Sequence, residues 1–438
     1  MLLIALAAPA SPVRGYSRQA LAEETEEAES AVHDAAQPVP VEAERRASFF
    51  TMQFADPQLG MLNCCGPGGV DAALNWDQEL EMLKLGVEKA KQLRPEFITM
   101  HGDMQDFYAV ATQNTHLKPD AEDKGGNKVG DVGAKQAKDV RAALDEAVKE
   151  GIGVKYLAGN HDLGDKPTLA TLDLATDRWG PLHYSFTKGP VAFIVLNSQL
   201  FTFDCKETGV ETQCEKQIED LETFVTDLQT NSEVRGLVVY SHIPPWFSSP
   251  DEDHGWGNWR KAARQKVLKD ILMKPSNKLK PSLIVCGHYH GNVRFKGEAY
   301  GAPLEVVVSS AIGAQMRWDG IEGFYTPEEA ASVGSEATGA AAFFEHIIGK
   351  TADGQPNFAN IPARVQANAE RSGMRVFEFS ETGYRHRWLF LGQIPDTAGT
   401  VAELFALPEP GPTDAAELVR WPRKETSGPA SPRPPWRP

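Results

Sequence analysis

Short apolar runs alternate along the chain with longer stretches in which apolar residues recur at helical spacing. Residues 48–55 form an apolar run typical of a strand, and residues 76–93 repeat apolar positions every three or four places, which is typical of an amphipathic helix. The same patterns predict further strands at 97–100, 154–158, 182–186, 191–196, 236–240, 283–286, 304–310, 374–379 and 385–391, and helices at 134–150, 216–228 and 259–273. Strands that alternate with helices predict an α/β fold with largely parallel pairing and later antiparallel strands.

Three segments depart from this alternation. Residues 1–46 carry an acidic run, residues 319–369 are rich in Ala, Gly, Glu and Pro, and residues 397–438 are rich in proline. The two terminal segments offer too little apolar surface to offset their ordering entropy. The sequence therefore predicts one domain over residues 47–396, with an insertion at about 319–369, between a disordered acidic amino-terminal tail and a Pro-rich carboxyl-terminal tail.

The formal net charge of −16 argues against a general nucleic-acid binder, because phosphate contacts need clustered Lys and Arg. The apolar run at residues 2–8 is too short to span a bilayer and has no basic residue before it, which makes it a poor signal peptide. We therefore predict a cytoplasmic protein without a membrane partner; secretion is the alternative.

The five cysteines have no spacing typical of a metal site. Cys205 and Cys214 flank a polar loop, so they could pair in a disulfide. We predict free thiols in a reducing compartment instead.

Polar residues follow five of the predicted strands. They are Asp56 and Gln58, Asp103 and Asp106, Asn160 and His161, His242, and His288 with His290. Open α/β sheets bind ligands at the carboxyl ends of their strands, so these clusters are expected to meet. Oxygen donors with imidazoles, and without thiolates, suit divalent ions such as Mn, Fe, Zn or Co.

In this order the clusters resemble the motifs of the calcineurin-like metallophosphoesterase superfamily. Its pattern is Asp-x-His, Gly-Asp-x-x-Asp, Gly-Asn-His-Asp/Glu, a lone His and Gly-His-x-His; this chain has Gly102–Asp106, Gly159–Asp162, His242 and Gly287–His290. The opening block, 54–60, is similar to that of the branch called calcineurin-like phosphoesterase domain-containing proteins, which are described as serine/threonine protein phosphatases. The resemblance implies a four-layer α/β/β/α sandwich with mixed sheets and an enzyme that hydrolyses phosphate esters.

The resemblance also implies roles for individual residues, carried over by motif. Two divalent metal ions would be held by Asp56, Gln58 and His290 at one position and by Asn160, His242 and His288 at the other, with Asp103 as the bridge. Asn160 and His161 would bind the phosphoryl group, and His161 would protonate the leaving oxygen. Asp106 would orient His161.

Gln58 departs from the superfamily pattern, which usually has His at this position. A glutamine carbonyl oxygen is a weaker ligand than imidazole for these ions and suits a harder ion such as Mn or Mg. We therefore predict Mn as the metal, with Mg, Fe or Zn as alternatives.

The sequence thus predicts a phosphomonoesterase, specifically a protein serine/threonine phosphatase that works by in-line attack of a hydroxide held by two metal ions. Its partner would be a phosphoprotein or another phosphate ester. A phosphodiesterase or nucleotide pyrophosphatase would use the same motifs, so it stays open. A noncatalytic scaffold of the same fold is the alternative from another class, and the presence of His161 argues against it.

Overall fold

The computed structural model describes residues 48–64, 75–106, 129–246, 249–252, 257–316, 324–325, 352, 365–408 and 415–422. All described elements belong to the unit Ser48–Pro438. The predicted amino-terminal tail, residues 1–46, lies outside the described residues.

The helices are α1 (Met61–Cys64), α2 (Asp77–Leu93), α3 (Val129–Lys149), α4 (Asn160–Leu163), α5 (Leu169–Trp179), α6 (Glu211–Thr230), α7 (Lys261–Ala263) and α8 (Val401–Ala406). A π-helical segment, Arg264–Leu272, continues α7, and short 3-10 turns cover Ser198–Phe201, Cys205–Glu207 and Leu391–Gln393. The strands are β1 (Phe49–Phe54), β2 (Phe97–His101), β3 (Gly153–Leu157), β4 (Tyr184–Lys188), β5 (Val191–Leu196), β6 (Gly236–Ser241), β7 (Leu283–Cys286), β8 (Asn292–Ala299), β9 (Ala302–Val308), β10 (Gln315–Met316), β11 (Phe324–Tyr325), β12 (Val365–Gln366), β13 (Gly373–Phe379), β14 (Gly383–Phe390) and β15 (Ala415–Arg420).

These strands form two large mixed sheets and one small ribbon. The first sheet has the order β15-β14-β13-β1-β2-β3, the second sheet has the order β11-β8-β9-β7-β6-β5-β4, and β10 pairs with β12. In the first sheet β1, β2 and β3 run parallel, and in the second sheet β5, β6, β7 and β9 do. The remaining strands are mostly antiparallel additions at the edges, as the sequence predicted.

The side chains of β5 alternate between two faces, which explains how the strand packs between two layers. Val191, Phe193 and Val195 belong to an apolar cluster shared with the first sheet, whereas the intervening residues belong to the core that contains helix residues. Strand side chains point alternately to the two faces, so one run of six apolar residues packs against a sheet on one side and helices on the other. The Phe193 ring lies 5.4 Å from that of Phe379 and 5.6 Å from that of Phe97, both in the first sheet. The predicted α/β/β/α class is confirmed.

The predicted carboxyl-terminal tail contains packed structure. Helix α8 and strand β15 both lie within residues 397–438, and β15 pairs with β14. Trp421, directly after β15, has its ring 5.0 Å from that of Tyr384 and donates its indole N–H to the Ser380 carbonyl at 2.9 Å. The predicted boundary at residue 396 is therefore wrong, because an apolar strand and a buried Trp lie between the prolines. Residues 423–438 lie outside the described residues.

Other elements were missed or misplaced. Helix α5 was not predicted, although the Thr168 hydroxyl accepts a hydrogen bond from the Thr171 N–H as a helix cap. Strand β8 was also not predicted, and α3 begins at Val129, five residues before the predicted start at residue 134. The predicted insertion, 319–369, lies largely outside the described residues; its described part includes β11 and β12.

Cys205 and Cys214 form a disulfide with a Cα–Cα distance of 6.7 Å. It ties the 3-10 turn Cys205–Glu207 to α6, and the prediction of free thiols at these positions is wrong. Among the described residues, no helix has the length and apolar character needed to span a membrane.

Candidate metal centre

All nine predicted site residues lie just after the carboxyl ends of parallel strands. In the first sheet, Asp56 and Gln58 follow β1, Asp103 and Asp106 follow β2, and Asn160 and His161 open α4 just after β3. In the second sheet, His242 follows β6, and His288 and His290 follow β7. The two sheets therefore present their polar strand ends to each other in one crevice.

Asp56, Gln58 and His290 form what we call the first donor group. His290 Nε2 lies 2.6 Å from Gln58 Oε1 and 3.8 Å from Asp56 Oδ1. The other ring nitrogen, Nδ1, lies 2.6 Å from the Ala314 carbonyl oxygen, so it carries the proton and donates it there. This bond leaves Nε2 as the nitrogen directed at the carboxylate and the amide oxygen.

Asp103, Asn160, His242 and His288 form the second donor group. His242 Nε2 lies 3.2 Å from both Asp103 Oδ2 and Asn160 Oδ1, and His242 Nδ1 donates to the His101 carbonyl oxygen at 2.6 Å. One ligand atom from each of Asp103, His242 and His288 lies within 4.8 Å of the other two. Carboxylate and amide oxygens with imidazoles fit a divalent transition metal ion, and the carbonyl that holds the second ring nitrogen is typical of metal-binding histidines.

The backbone is strained where it presents these donors. Five of the seven non-glycine residues with positive φ in the described parts of the chain are predicted metal ligands: Asp56 (49°), Gln58 (35°), Asp103 (48°), His288 (79°) and His290 (50°). Such conformations cost about 1–3 kcal/mol each and persist only where the surrounding structure enforces them. Their concentration here marks this crevice as a functional site independently of any motif.

Two glycines allow the loops to approach this closely. A Cβ on Gly159 would lie 2.2 Å from Asp103 Oδ1, and one on Gly102 would lie 2.4 Å from His242 Nδ1. Gly102 also has a φ of +79°, which other residues rarely adopt. Any side chain at either position would displace a donor of the second donor group.

Burial and charge explain the ionisation of the second donor group. Burial alone would raise the pKa of Asp103, but the neighbouring imidazoles of His242 and His161 hold it below its usual value. Conversely, burial alone would lower the pKa of His242, but the charge and hydrogen bond of Asp103 raise it to about 9. The Asp103 carboxylate thus favours a positive charge beside it, which a bound cation also supplies.

His161 is the most exposed of the nine, with 17% of its side chain accessible, whereas each of the others is less than a tenth exposed. Its Nδ1 lies 2.6 Å from the backbone oxygen of Asp106 but 3.8 Å from the Asp106 carboxylate. The carbonyl therefore orients His161, rather than the carboxylate as the resemblance implied. The Asp106 carboxylate instead accepts from Gln58 Nε2 at 2.9 Å, which turns the Gln58 carbonyl oxygen toward His290.

Several supporting groups escaped the sequence analysis. The Asp162 carboxylate accepts from the Gly159 and Met104 N–H groups at 2.9 and 3.2 Å, so it joins the loops after β2 and β3. The backbone carbonyls of His101 and Ala314 orient two histidines, and a sequence carries no signal for them because any residue type has a carbonyl. Asp162 did carry a signal, its place in the Gly-Asn-His-Asp block.

No protein-family model matches the chain. Among curated proteins it is similar to the serine/threonine-protein phosphatase CPPED1 of Rattus norvegicus, with 30% identity over 281 residues, 64% of this chain and 80% of that protein. The corresponding protein of Danio rerio is 30% identical over 276 residues, 61% of this chain and 77% of that protein. The human protein is 29% identical over 289 residues, which are 65% of this chain and 82% of that protein.

Among solved structures, the chain is similar to a dimetal phosphatase from Danio rerio, LOC 393393, with 14% identity and a TM-score of 0.39 over 60% of this chain and 88% of that one. The identity of 30% to the curated proteins extends over more than two thirds of their length and shows the family. The chain therefore belongs to the CPPED1 family of metal-dependent calcineurin-like phosphoesterases.

Proposed function

We propose that the protein is a serine/threonine protein phosphatase with two divalent metal ions, one in each donor group. The observation that carries the proposal is the convergence of seven donors, in two groups, at one crevice lined by both sheets. The printed name of the relatives, serine/threonine-protein phosphatase, supports phosphorylated protein as the substrate.

The residues have distinct tasks in this proposal. Asp56, Gln58 and His290 hold one ion and Asn160, His242 and His288 the other, while Asp103 serves both. When bound, such ions lower the pKa of a coordinated water toward 7 and neutralise charge that develops on the phosphoryl oxygens. We propose Mn²⁺, because the Gln58 carbonyl replaces an imidazole with a harder donor.

His161 is the general acid in this proposal. Its Nδ1 is held by the Asp106 carbonyl, and its Nε2 lies 3.1 Å from Gln58 Nε2. Nε2 would exchange this amide contact for a bound phosphate ester, which the partial exposure of the ring allows. A proton held at Nε2 would pass to the leaving serine or threonine oxygen. Asn160, next to it and 7% exposed, would hold a phosphoryl oxygen through its amide.

The test is hydrolysis of a phosphothreonine peptide and of a phosphate bis-ester by chelator-stripped full-length protein with Mn²⁺, Mg²⁺ or Zn²⁺ restored. Release of phosphate from the peptide, restored best by Mn²⁺, is expected. Preference for the bis-ester would overturn the proposal in favour of a phosphodiesterase. As a control, His183→Ala removes a histidine that pairs with Asp220 outside the site and should keep full activity.

The predicted cytoplasmic location conflicts with the Cys205–Cys214 disulfide. Reducing compartments keep such thiols reduced. Alkylation of thiols in intact cells, followed by mass analysis of the peptide that contains both cysteines, decides between the two: alkylated cysteines support the cytoplasm, and an intact disulfide contradicts it.

A further inference from the structure

A buried arginine lies behind the metal centre, between the two sheets. Arg375, on β13, is fully buried. Its guanidinium donates from Nε to Ser309 Oγ at 2.8 Å and from Nη2 to Asn292 Oδ1 at 3.0 Å. A third nitrogen, Nη1, lies 3.0 Å from His386 Nδ1. A planar group with donors in a fixed fork is suited to hold several acceptors in one geometry.

Through Ser309 and Asn292, Arg375 is connected to both ends of the loop that carries His288 and His290. At its start, the Cys286 carbonyl accepts from Gln53 Nε2 at 2.9 Å, and Gln53 Oε1 accepts from Ser309 Oγ at 2.7 Å. At its end, Asn292 Oδ1 accepts from Arg375 and from the Ser310 N–H, the latter at 3.2 Å. We call Gln53, Asn292, Ser309 and Arg375 the loop clamp.

Arg375 also contacts His386 on the neighbouring strand β14. Arginine only donates, so His386 Nδ1 is the acceptor and His386 is neutral with its proton on Nε2. That proton is donated to Glu305 Oε1 at 2.8 Å, and Arg294 and Tyr384 also contact the Glu305 carboxylate. The arginine therefore has a second, opposite set of contacts that fixes it in place while its other nitrogens hold the loop.

We propose that Arg375 is a positioning residue for the metal centre: through the loop clamp it holds the loop Gly287–Gly291 in the strained conformation that presents His288 and His290. The loop needs such support because both histidines have positive φ, 79° and 50°, and would relax away from this geometry without it. This inference rests on the proposed ligand roles of the two histidines.

The test is Mn²⁺ binding by chelator-stripped full-length protein, measured by titration calorimetry, with the thermal midpoint of the metal-free protein measured in parallel. Arg375→Lys keeps the charge but has a single ammonium, which cannot reach three acceptors in the plane of the guanidinium. We expect its Mn²⁺ affinity to fall by about 10–100-fold, the usual effect of losing a group that orients metal ligands. Ser309→Ala removes one hydroxyl of the loop clamp and should fold. We expect it to lower the Mn²⁺ affinity as well, by a smaller factor.

Arg387 provides the matched control. It lies on the neighbouring strand β14, is 3% exposed, and donates to the carbonyls of Leu404, Phe405 and Leu407, at the end of α8 and just beyond it, instead of to the metal-centre loop. Arg387→Lys should lower the thermal midpoint and leave Mn²⁺ affinity unchanged.

Unchanged affinity in both Arg375→Lys and Ser309→Ala would overturn the inference, and so would an equal loss of affinity in Arg387→Lys, since that would be a general effect of instability. Absence of Mn²⁺ binding by the unchanged protein would overturn the proposed function together with this inference. Binding by the unchanged protein with no effect of the variants would overturn this inference alone.

Discussion

The first and second donor groups meet in one crevice but differ in chemistry. The first donor group has one imidazole, one carboxylate and the Gln58 amide, and its amide is turned by the Asp106 carboxylate. The second donor group has two imidazoles with Asp103 and Asn160. Burial would lower the pKa of its His242, but the charge and hydrogen bond of Asp103 raise that pKa to about 9. The difference predicts that the two proposed metal positions are not equivalent: the second would bind a borderline ion tightly, and the first would bind more weakly and favour harder ions.

The largest expected effect comes from Asp103→Asn, which removes the carboxylate proposed to serve both donor groups. Loss of a general acid alone typically slows a reaction by up to about 10⁴-fold. Turnover of a phosphothreonine peptide by Asp103→Asn should fall by more than this factor. Metal content of the purified variant should fall at both positions. A variant with normal metal content and activity would contradict the bridging role.

His161→Asn separates chemistry from metal binding, because His161 belongs to neither donor group. We expect kcat to fall by about 10²–10⁴-fold while the affinity for Mn²⁺ stays that of the unchanged protein. Steady-state kinetics and calorimetry on the same preparation check both parts. Loss of metal from this variant would show that His161 is a ligand and that the division into two groups is wrong.

Gln58→His sharpens the comparison by giving the first donor group a second imidazole. Zn²⁺ should bind this position about 10-fold more tightly, equivalent to about 1.4 kcal/mol, and the preference for Mn²⁺ in the activity assay should shrink. Gln58→Leu is the matched control, since it removes the oxygen donor altogether and should weaken the binding of both Zn²⁺ and Mn²⁺ at this position. Equal metal preference in the unchanged protein and Gln58→His would mean that the amide does not decide selectivity.

The smallest effect on either donor group is expected from the paired replacement of Cys205 and Cys214 by serine. Loss of a disulfide that closes a loop of this length should lower the free energy of unfolding by about 2–3 kcal/mol. Denaturant unfolding measures that change. Metal affinity should be unchanged, and a fall in affinity would show that the segment supports the site.

The sequence predicted the α/β class and singled out the nine residues that meet in the crevice, because strand periodicity and polar residues at strand ends are local signals. It did not predict β15, because residues 415–420, Ala-Ala-Glu-Leu-Val-Arg, lie among prolines that favour a tail. The packing of Trp421 on Tyr384 joins two residues distant in sequence and carries no local signal. Nor could it predict Arg375 behind the loop or the Ala314 carbonyl on His290, because these contacts join residues distant in sequence without a fixed spacing. Asp106 contacts His161 through its backbone oxygen rather than its carboxylate, a difference that a motif does not predict because it names the residue and not the atom that makes the contact.

The most direct test of the central claim is the metal stoichiometry of chelator-stripped full-length protein titrated with Mn²⁺, with phosphothreonine-peptide hydrolysis followed at each addition. We expect two binding events, the tighter one at the second donor group, and activity that appears only as the second ion binds. A single binding event with full activity, or two events without any hydrolysis, would contradict the account.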